Sequence, residues 1–174
     1  TVLSRGLGDV YKRQKYSNDP VQHIINLSKK YSGICLFLPN LEKIDYKRIR
    51  QGVGKYPIIS LTPMKNPTID TVSFDSYSGG YMIAKHFEEQ GYKNFGIVSG
   101  PGDAVDATFR KNGFVDHISE KKDLELVWEF KGDFSSESGR DAFKNFKKQS
   151  LSNIAIFGCN DHTCFGFMKL SLIH

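Results

Sequence analysis

The chain has 174 residues, 39% of them apolar and 25% charged, with a formal net charge of +5. That excess is too small to imply a nucleic-acid surface, and no apolar run approaches the ~20 residues that span a membrane. Three cysteines leave at least one without a partner in the chain, and Cys35 and Cys159 lie inside apolar runs as buried thiols do, which suits a reducing compartment.

Both ends read as foreign. A DNA stretch encoding Asp9-Val10-Tyr11-Lys12-Arg13-Gln14 has a reverse complement that translates as Leu-Ser-Leu-Ile-His-Ile, and the chain ends Leu170-Ser171-Leu172-Ile173-His174. Such an inverted repeat resembles a transposase adaptor used in preparing sequencing libraries. Residues 1–14 and 170–174 are therefore set aside as scars, and the native protein is expected to continue past both. Of the 24 basic and 19 acidic residues, three and one fall in the first scar, which leaves a net charge of +3.

Asp19-Pro20 opens a helix whose apolar stripe is Val21, Ile24, Ile25 and Leu27. Gly33 to Leu38 is a continuous apolar run, the pattern of a strand covered on both faces, and Pro39-Asn40 ends it. Leu41, Ile44, Tyr46 and Ile49 mark a second helix, released at Gly52-Val53-Gly54 into a strand from Tyr56 to Leu61. Thr62 to Pro67, with two prolines and no period, is a loop. An alternating run through Val72 and Phe74 reads as a strand ending at Asp75, and Ser76 or Ser78 caps a helix carrying Gly80, Ile83, Ala84 and Phe87 on one face. Gly91 stops that helix; Phe95 to Val98 is the next strand, and Gly100-Pro101-Gly102 turns into a helix on which Arg110 precedes Phe114 by four residues. Leu124 to Phe130 is a strand turned by Gly132-Asp133. Ser135 or Ser136 caps the helix of Ala142, Phe143 and Phe146, whose basic end, Lys144, Lys147 and Lys148, suits the helix dipole. Asn153 to Phe157 is the last strand, and Asp161 begins the last helix. Strand, helix, strand, helix in this order predicts a parallel α/β sheet.

Six motifs occur in sequence: V-x-x-D at Val72 to Asp75, G-G-x-x-x-A-x-H-F at Gly79 to Phe87, G-Y-K-x-x-G-I-V-x-G-P at Gly91 to Pro101, R-x-x-G-F at Arg110 to Phe114, G-D-F-x-x-x-S-G at Gly132 to Gly139, and N-D-x-x-x-x-G at Asn160 to Gly166. In this order they resemble the effector-binding core of the LacI/GalR (lactose-repressor) family, which is related to periplasmic sugar-binding proteins. The resemblance implies a periplasmic-binding-protein-like type I fold of two Rossmann-like parallel-sheet subdomains, incomplete at both ends. Residues 15–74 would belong to the N-terminal effector subdomain and 75–169 to the C-terminal one, with the crossing near Phe74–Asp75. It further implies a cytoplasmic homodimer that binds a sugar or nucleoside-like effector between two lobes and meets operator DNA only through an N-terminal helix-turn-helix lying outside these residues. The alternative is a periplasmic sugar-binding protein of a transporter. The A-x-H-F-x-x-x-G-Y spacing at Ala84 to Tyr92 and the unpaired thiols favour the regulator.

Open α/β sheets bind ligands beyond the carboxyl ends of their strands, so the candidates are residues just after strands. Arg110 shares a helix side with Ala107, Phe114 and Ile118, and an inward guanidinium needs acceptors: those of a ligand, or the carboxylate of Asp106. Phe134 either offers an aromatic face for stacking or covers the core. Asn160 carries both donor and acceptor for hydroxyl recognition, whereas Asp161 is as easily a helix cap. By resemblance, Arg110, Phe134, Asp106 and Asp75 occupy effector-facing or crossover positions. Thr62 stands where some sugar-responsive relatives have Asp, which leaves the sugar open.

Other chemistries fit poorly. Gly100-Pro101-Gly102 with Val105 is a broken G-x-G-x-x-G in which proline and acids replace bare amides, so no dinucleotide cofactor is expected. Cys159, Asp161, His162 and Cys164 are ligand-type residues too crowded to point one way, and no metal is expected. No G-x-S-x-G elbow or acid–base pair supports an enzyme.

Overall fold

A computed structural model describes residues 19–38, 41–62 and 67–172. The Pro39-Asn40 strand end, most of the loop from Thr62 to Pro67 and residues 1–14 lie outside the described residues. The chain divides into two compact units that meet between Phe74 and Asp75.

The first unit holds α1 (Pro20–Ser28), β1 (Ile34–Leu36), α2 (Lys43–Val53), β2 (Ile58–Ser60) and β3 (Asp70–Thr71). Its three strands are parallel in the order β1-β2-β3. Asp19 caps α1 by accepting from the Gln22 amide at 3.1 Å, with Pro20 at the first helical position where its missing N–H costs nothing. Val21 and Ile24 then pack with Ile34, Leu36, Tyr46, Ile49 and Ile58 into one core. The strands are shorter than the apolar runs suggest. In particular β3 is Asp70–Thr71, whereas Val72 and Phe74 are 60% and 94% exposed. The reason is the neighbour: the Val72 amide still donates to the Ser60 carbonyl at 2.9 Å, but β2 ends at Ser60 and offers no further rung.

The second unit runs α3 (Ser76–Glu89), β4 (Asn94–Ser99), α4 (Val105–Ser119), β5 (Glu125–Lys131), α5 (Ser136–Lys147), β6 (Ile154–Gly158) and α6 (Asp161–Ser171). The strands are all parallel in the order β5-β4-β6. β4 is central, which is why its apolar run is unbroken: Phe95 and Ile97 face a core with Ala84, Phe114 and Ile118, and Val98 faces another with Trp128 and Ala142. Gly96 is tightly enclosed there, since a Cβ would lie 3.0 Å from the Trp128 ring. Register slips by one residue on the β5 side between Phe95 and Gly96.

Helix pairs α3–α4 and α5–α6 close through glycine. A Cβ on Gly80 would come within 2.0 Å of the Arg110 carbonyl, and one on Gly113 within 2.0 Å of the Tyr77 carbonyl. Gly139 and Gly166 make the same kind of approach to Thr163 and Ser136. Around the α3–α4 contact, Tyr77 donates to Asp116 at 2.8 Å, Tyr81 to Glu120 at 2.7 Å, and buried His117 pairs with Glu88 at 2.7 Å.

Neither expected serine caps α3. Asp75 does, accepting from the Ser78 amide at 2.9 Å and the Ser78 hydroxyl at 2.6 Å. These two bonds, the hydroxyl first, hold the Asp75 carboxyl below the ordinary carboxylate range. A carboxyl lowered on folding contributes stability above its unfolded value, near about pH 4, and loses it as pH falls through the folded value. Asp75→Asn therefore flattens the acid limb of unfolding below about pH 4 in a circular-dichroism titration, while leaving the neutral-pH spectrum unchanged.

Candidate functional site

Because β4, β5 and β6 are parallel, their carboxyl ends at Ser99, Lys131 and Gly158 fall at one end of one sheet. The segments that follow are Gly100 to Ala104, Gly132 to Ser135, and Cys159-Asn160. They are fastened to one another by side chains.

Arg110 lies on α4 beside the buried Ala107, Phe114 and Ile118, as its spacing predicts. Its Nη1 donates to the Cys159 carbonyl at 2.6 Å, and its Nη2 stands 4.0 Å from the Asp106 carboxylate. The side chain is one-third exposed, so it is neither sealed in the core nor loose in water. Asp106 is itself anchored, accepting from the Ser76 hydroxyl at 2.8 Å, which joins α3 to the first turn of α4. A planar fork held by one main-chain carbonyl keeps its remaining N–H groups for other acceptors.

Phe134 is half-buried and sits in the left-handed region at φ 71°. Its ring packs with the cluster around Phe114 and lies against Gly100, where a Cβ would come within 2.3 Å of Cε1. Gly100 thus serves as the seat of the ring. Asn160 donates through Nδ2 to the Phe134 carbonyl at 2.8 Å and accepts through Oδ1 from the Thr163 amide at 3.0 Å. The cap of α6 is therefore Asn160, and Asp161, read as the alternative cap, is an exposed residue of the first turn. Asp75 is exposed at the cap of α3. Thr62 belongs to the first unit, where its hydroxyl accepts from the Leu38 amide at 3.2 Å.

Arg110, Phe134 and Asn160 are thus linked through two backbone carbonyls, and Asp106 joins them through its ion pair with Arg110. Sequence reasoning missed the Cys159 carbonyl, the Gly100 seat and the Ser76 bond. A main-chain acceptor leaves no residue signature, but Gly100 had one in its place directly after a buried strand.

Cys159 itself is buried, and desolvation pushes its thiol up to about 11. In native buffer at pH 8, iodoacetamide is expected to leave Cys159 unlabelled and to label it once urea is added; peptide mass spectrometry reads both. Among the described residues no group of three or more His, Cys, Asp or Glu converges on a metal-sized site. An open cleft of about 340 Å³ beside α4 shares the Gly100-Pro101-Gly102 segment with the candidate site and extends past Thr108, Lys111, Glu129 and Lys131. The Lys111–Glu129 ion pair spans it, and Arg110, Phe134 and Asn160 take no part in it.

No family model matches the chain. A curated relative, the HTH-type transcriptional repressor PurR of Mannheimia succiniciproducens, is 29% identical over 167 residues, covering 88% of this chain and 50% of its own length. PurR of Haemophilus influenzae is 28% identical over 165 residues, with 88% and 49% covered. Among solved structures, the dimeric Lac repressor with an 11-residue C-terminal deletion aligns with a TM-score of 0.75 at 20% identity over 88% of this chain and 56% of its own. The resemblance to the LacI/GalR regulators is borne out. The fold is equally that of an ABC-transporter periplasmic solute-binding protein from Actinobacillus succinogenes with bound D-allose, at TM-score 0.75 and 21% identity over 88% of this chain and 59% of that one. This is the expected periplasmic-binding-protein-like α/β architecture. The chain spans about half the length of the curated LacI-type relatives it matches, and those relatives are described as repressors, not enzymes. No helix among the described residues is long and apolar enough to cross a membrane.

Proposed function

We propose that this chain is the effector-sensing part of a LacI/GalR-type transcriptional regulator, with residues 15–74 and 75–169 forming parts of its two effector subdomains. One observation carries the reading. Asn160 bonds the Phe134 carbonyl, the Phe134 ring rests on Gly100, and Arg110 bonds the Cys159 carbonyl from α4 with guanidinium N–H groups to spare, which links the three strand-end segments of one parallel sheet. A small polar ligand with hydroxyl or carbonyl acceptors and a ring face, a sugar or a nucleoside, matches that set. Arg110 and Phe134 are its proposed contacts, Asn160 stands behind Phe134 through its bond to that carbonyl, and Asp106, Asp161, Asp75 and Thr62 are further candidates.

Operator recognition is assigned to a helix-turn-helix outside these residues, in keeping with the name of the curated relatives. Assembly as a homodimer is supported by α6, where Phe165 and Met168, three residues apart on the helix, are 66% and 52% exposed. Three free cysteines support a cytoplasmic setting.

Calorimetry of the chain against a panel of nucleosides, free bases and pyranose sugars tests the reading: saturable one-to-one heat with a member of the panel supports it, and no heat with any member contradicts it. The likeness to the allose-binding protein keeps a transport reading in view, and the coding sequence upstream separates the two. A helix-turn-helix means regulation, and a signal peptide with a cleavage site means transport.

A further inference from the structure

The side chain of Asn160 has two polar groups, and each already has a protein partner. Oδ1 takes the Thr163 amide, one of the orphan donors at the start of α6, and Nδ2 gives its hydrogen to the Phe134 carbonyl. The two bonds fix the amide orientation, since exchanging O and N would set donor against donor and acceptor against acceptor.

Phe134 needs such a partner. At φ 71° a residue with a Cβ is strained, and nothing in its own short turn replaces the bond from Asn160: the Asp133 carboxylate serves the Ser135 amide at 2.9 Å, and the Ser138 hydroxyl serves the Asp133 amide at 3.2 Å. The strained backbone directs the ring onto Gly100, the one residue type that leaves room for it there.

We propose that Asn160 is a positioning residue: by bonding the Phe134 carbonyl it holds that residue left-handed and so sets the ring face presented to the ligand. The proposal rests on the reading above for what the ring meets. It makes the shape of the site a property of the β6–α6 turn, in which Arg110 holds the carbonyl of the residue just before Asn160. One turn of chain thereby aligns both the cation and the aromatic.

The test places 4-fluorophenylalanine at position 134 of the 174-residue chain and records ¹⁹F spectra without ligand. Asn160→Ser keeps an N-cap oxygen for α6 but is too short to reach the Phe134 carbonyl. The expected result is one narrow resonance in the parent and a shifted or doubled one in the Asn160→Ser variant, at unchanged helicity. The same resonance in both overturns the proposal. Should the serine variant lose its fold, Asn160→Asp, which keeps the cap and replaces the donor by an acceptor, is read in the same way.

A binding arm uses whichever panel compound gives heat. Asn160→Ser is expected to weaken it about tenfold in the parent and less than about twofold in a Phe134→Leu background. Equal losses in both backgrounds mean that Asn160 meets the ligand itself, and the proposal fails. If no compound binds, the functional reading fails while the ligand-free spectra still decide the role of Asn160.

Discussion

Gly80→Ala lowers the unfolding free energy by about 3 kcal/mol, whereas Gly79→Ala, one residue earlier, raises it by about 0.5 kcal/mol. The contrast isolates packing from helix propensity. Both glycines lie in the first turns of α3, and alanine suits a helix better than glycine at either. At Gly79 an added methyl meets nothing within 4 Å. At Gly80 it lands 2.0 Å from the Arg110 carbonyl, a main-chain atom with no rotamer to yield, so α3 and α4 must separate. Separation strains the Tyr77–Asp116, Tyr81–Glu120 and His117–Glu88 bonds together, which is why the loss exceeds that of an ordinary surface change. Urea unfolding followed by the fluorescence of Trp128, the single tryptophan, measures both variants. Because the displaced atom belongs to Arg110, Gly80→Ala also disturbs the candidate site from outside it.

Arg110→Ala weakens the binding of the panel compound at least about 100-fold, or about 3 kcal/mol, at a cost in stability of about 1 kcal/mol. The two figures differ because the guanidinium has two tasks. Toward the protein it satisfies one carbonyl, that of Cys159, and that bond is an ordinary charge-assisted one. Toward the ligand, on the proposed reading, it offers its remaining N–H groups, and its removal leaves the ligand acceptors without donors. Arg110→Lys retains the charge but loses the planar fork, so it is expected to recover little of the affinity. Calorimetry and urea unfolding on the same preparations separate the two effects; equal affinity for parent and alanine variant removes Arg110 from the site.

The second unit was nearly readable from residue order, for a physical reason. Its central strand is covered on both faces, so Phe95 to Val98 is an unbroken apolar run, and glycines stop the helix before it and the strand after it. The first unit was less so. Val72 and Phe74 alternate as a strand does, yet pairing depends on β2, which ends at Ser60 and leaves them exposed. Ser135 caps α5 as expected, but the caps expected at Ser76 or Ser78 and at Asp161 lie elsewhere, on Asp75 and Asn160. In both cases the residue just before the predicted helix start, an Asx, took the role.

For the site, the residue types were legible and their bonds were not. Arg110 could be placed on the inner side of α4 from spacing alone, but its partner is a backbone carbonyl 49 residues away. Asn160 reads as a ligand-type amide, and only coordinates reveal that Thr163 and Phe134 already engage it. Gly100 looked like part of a failed phosphate loop and is the floor beneath an aromatic ring.

The central claim is that the carboxyl ends of β4, β5 and β6 form the ligand surface. Amide chemical-shift mapping of the ¹⁵N-labelled chain, titrated with the panel compound that binds, tests it directly. The largest changes are expected at Gly100 to Ala104, Gly132 to Ser135 and Cys159 to Asp161. Changes concentrated instead at the opposite strand ends, Asn94, Glu125 and Ile154, would contradict it.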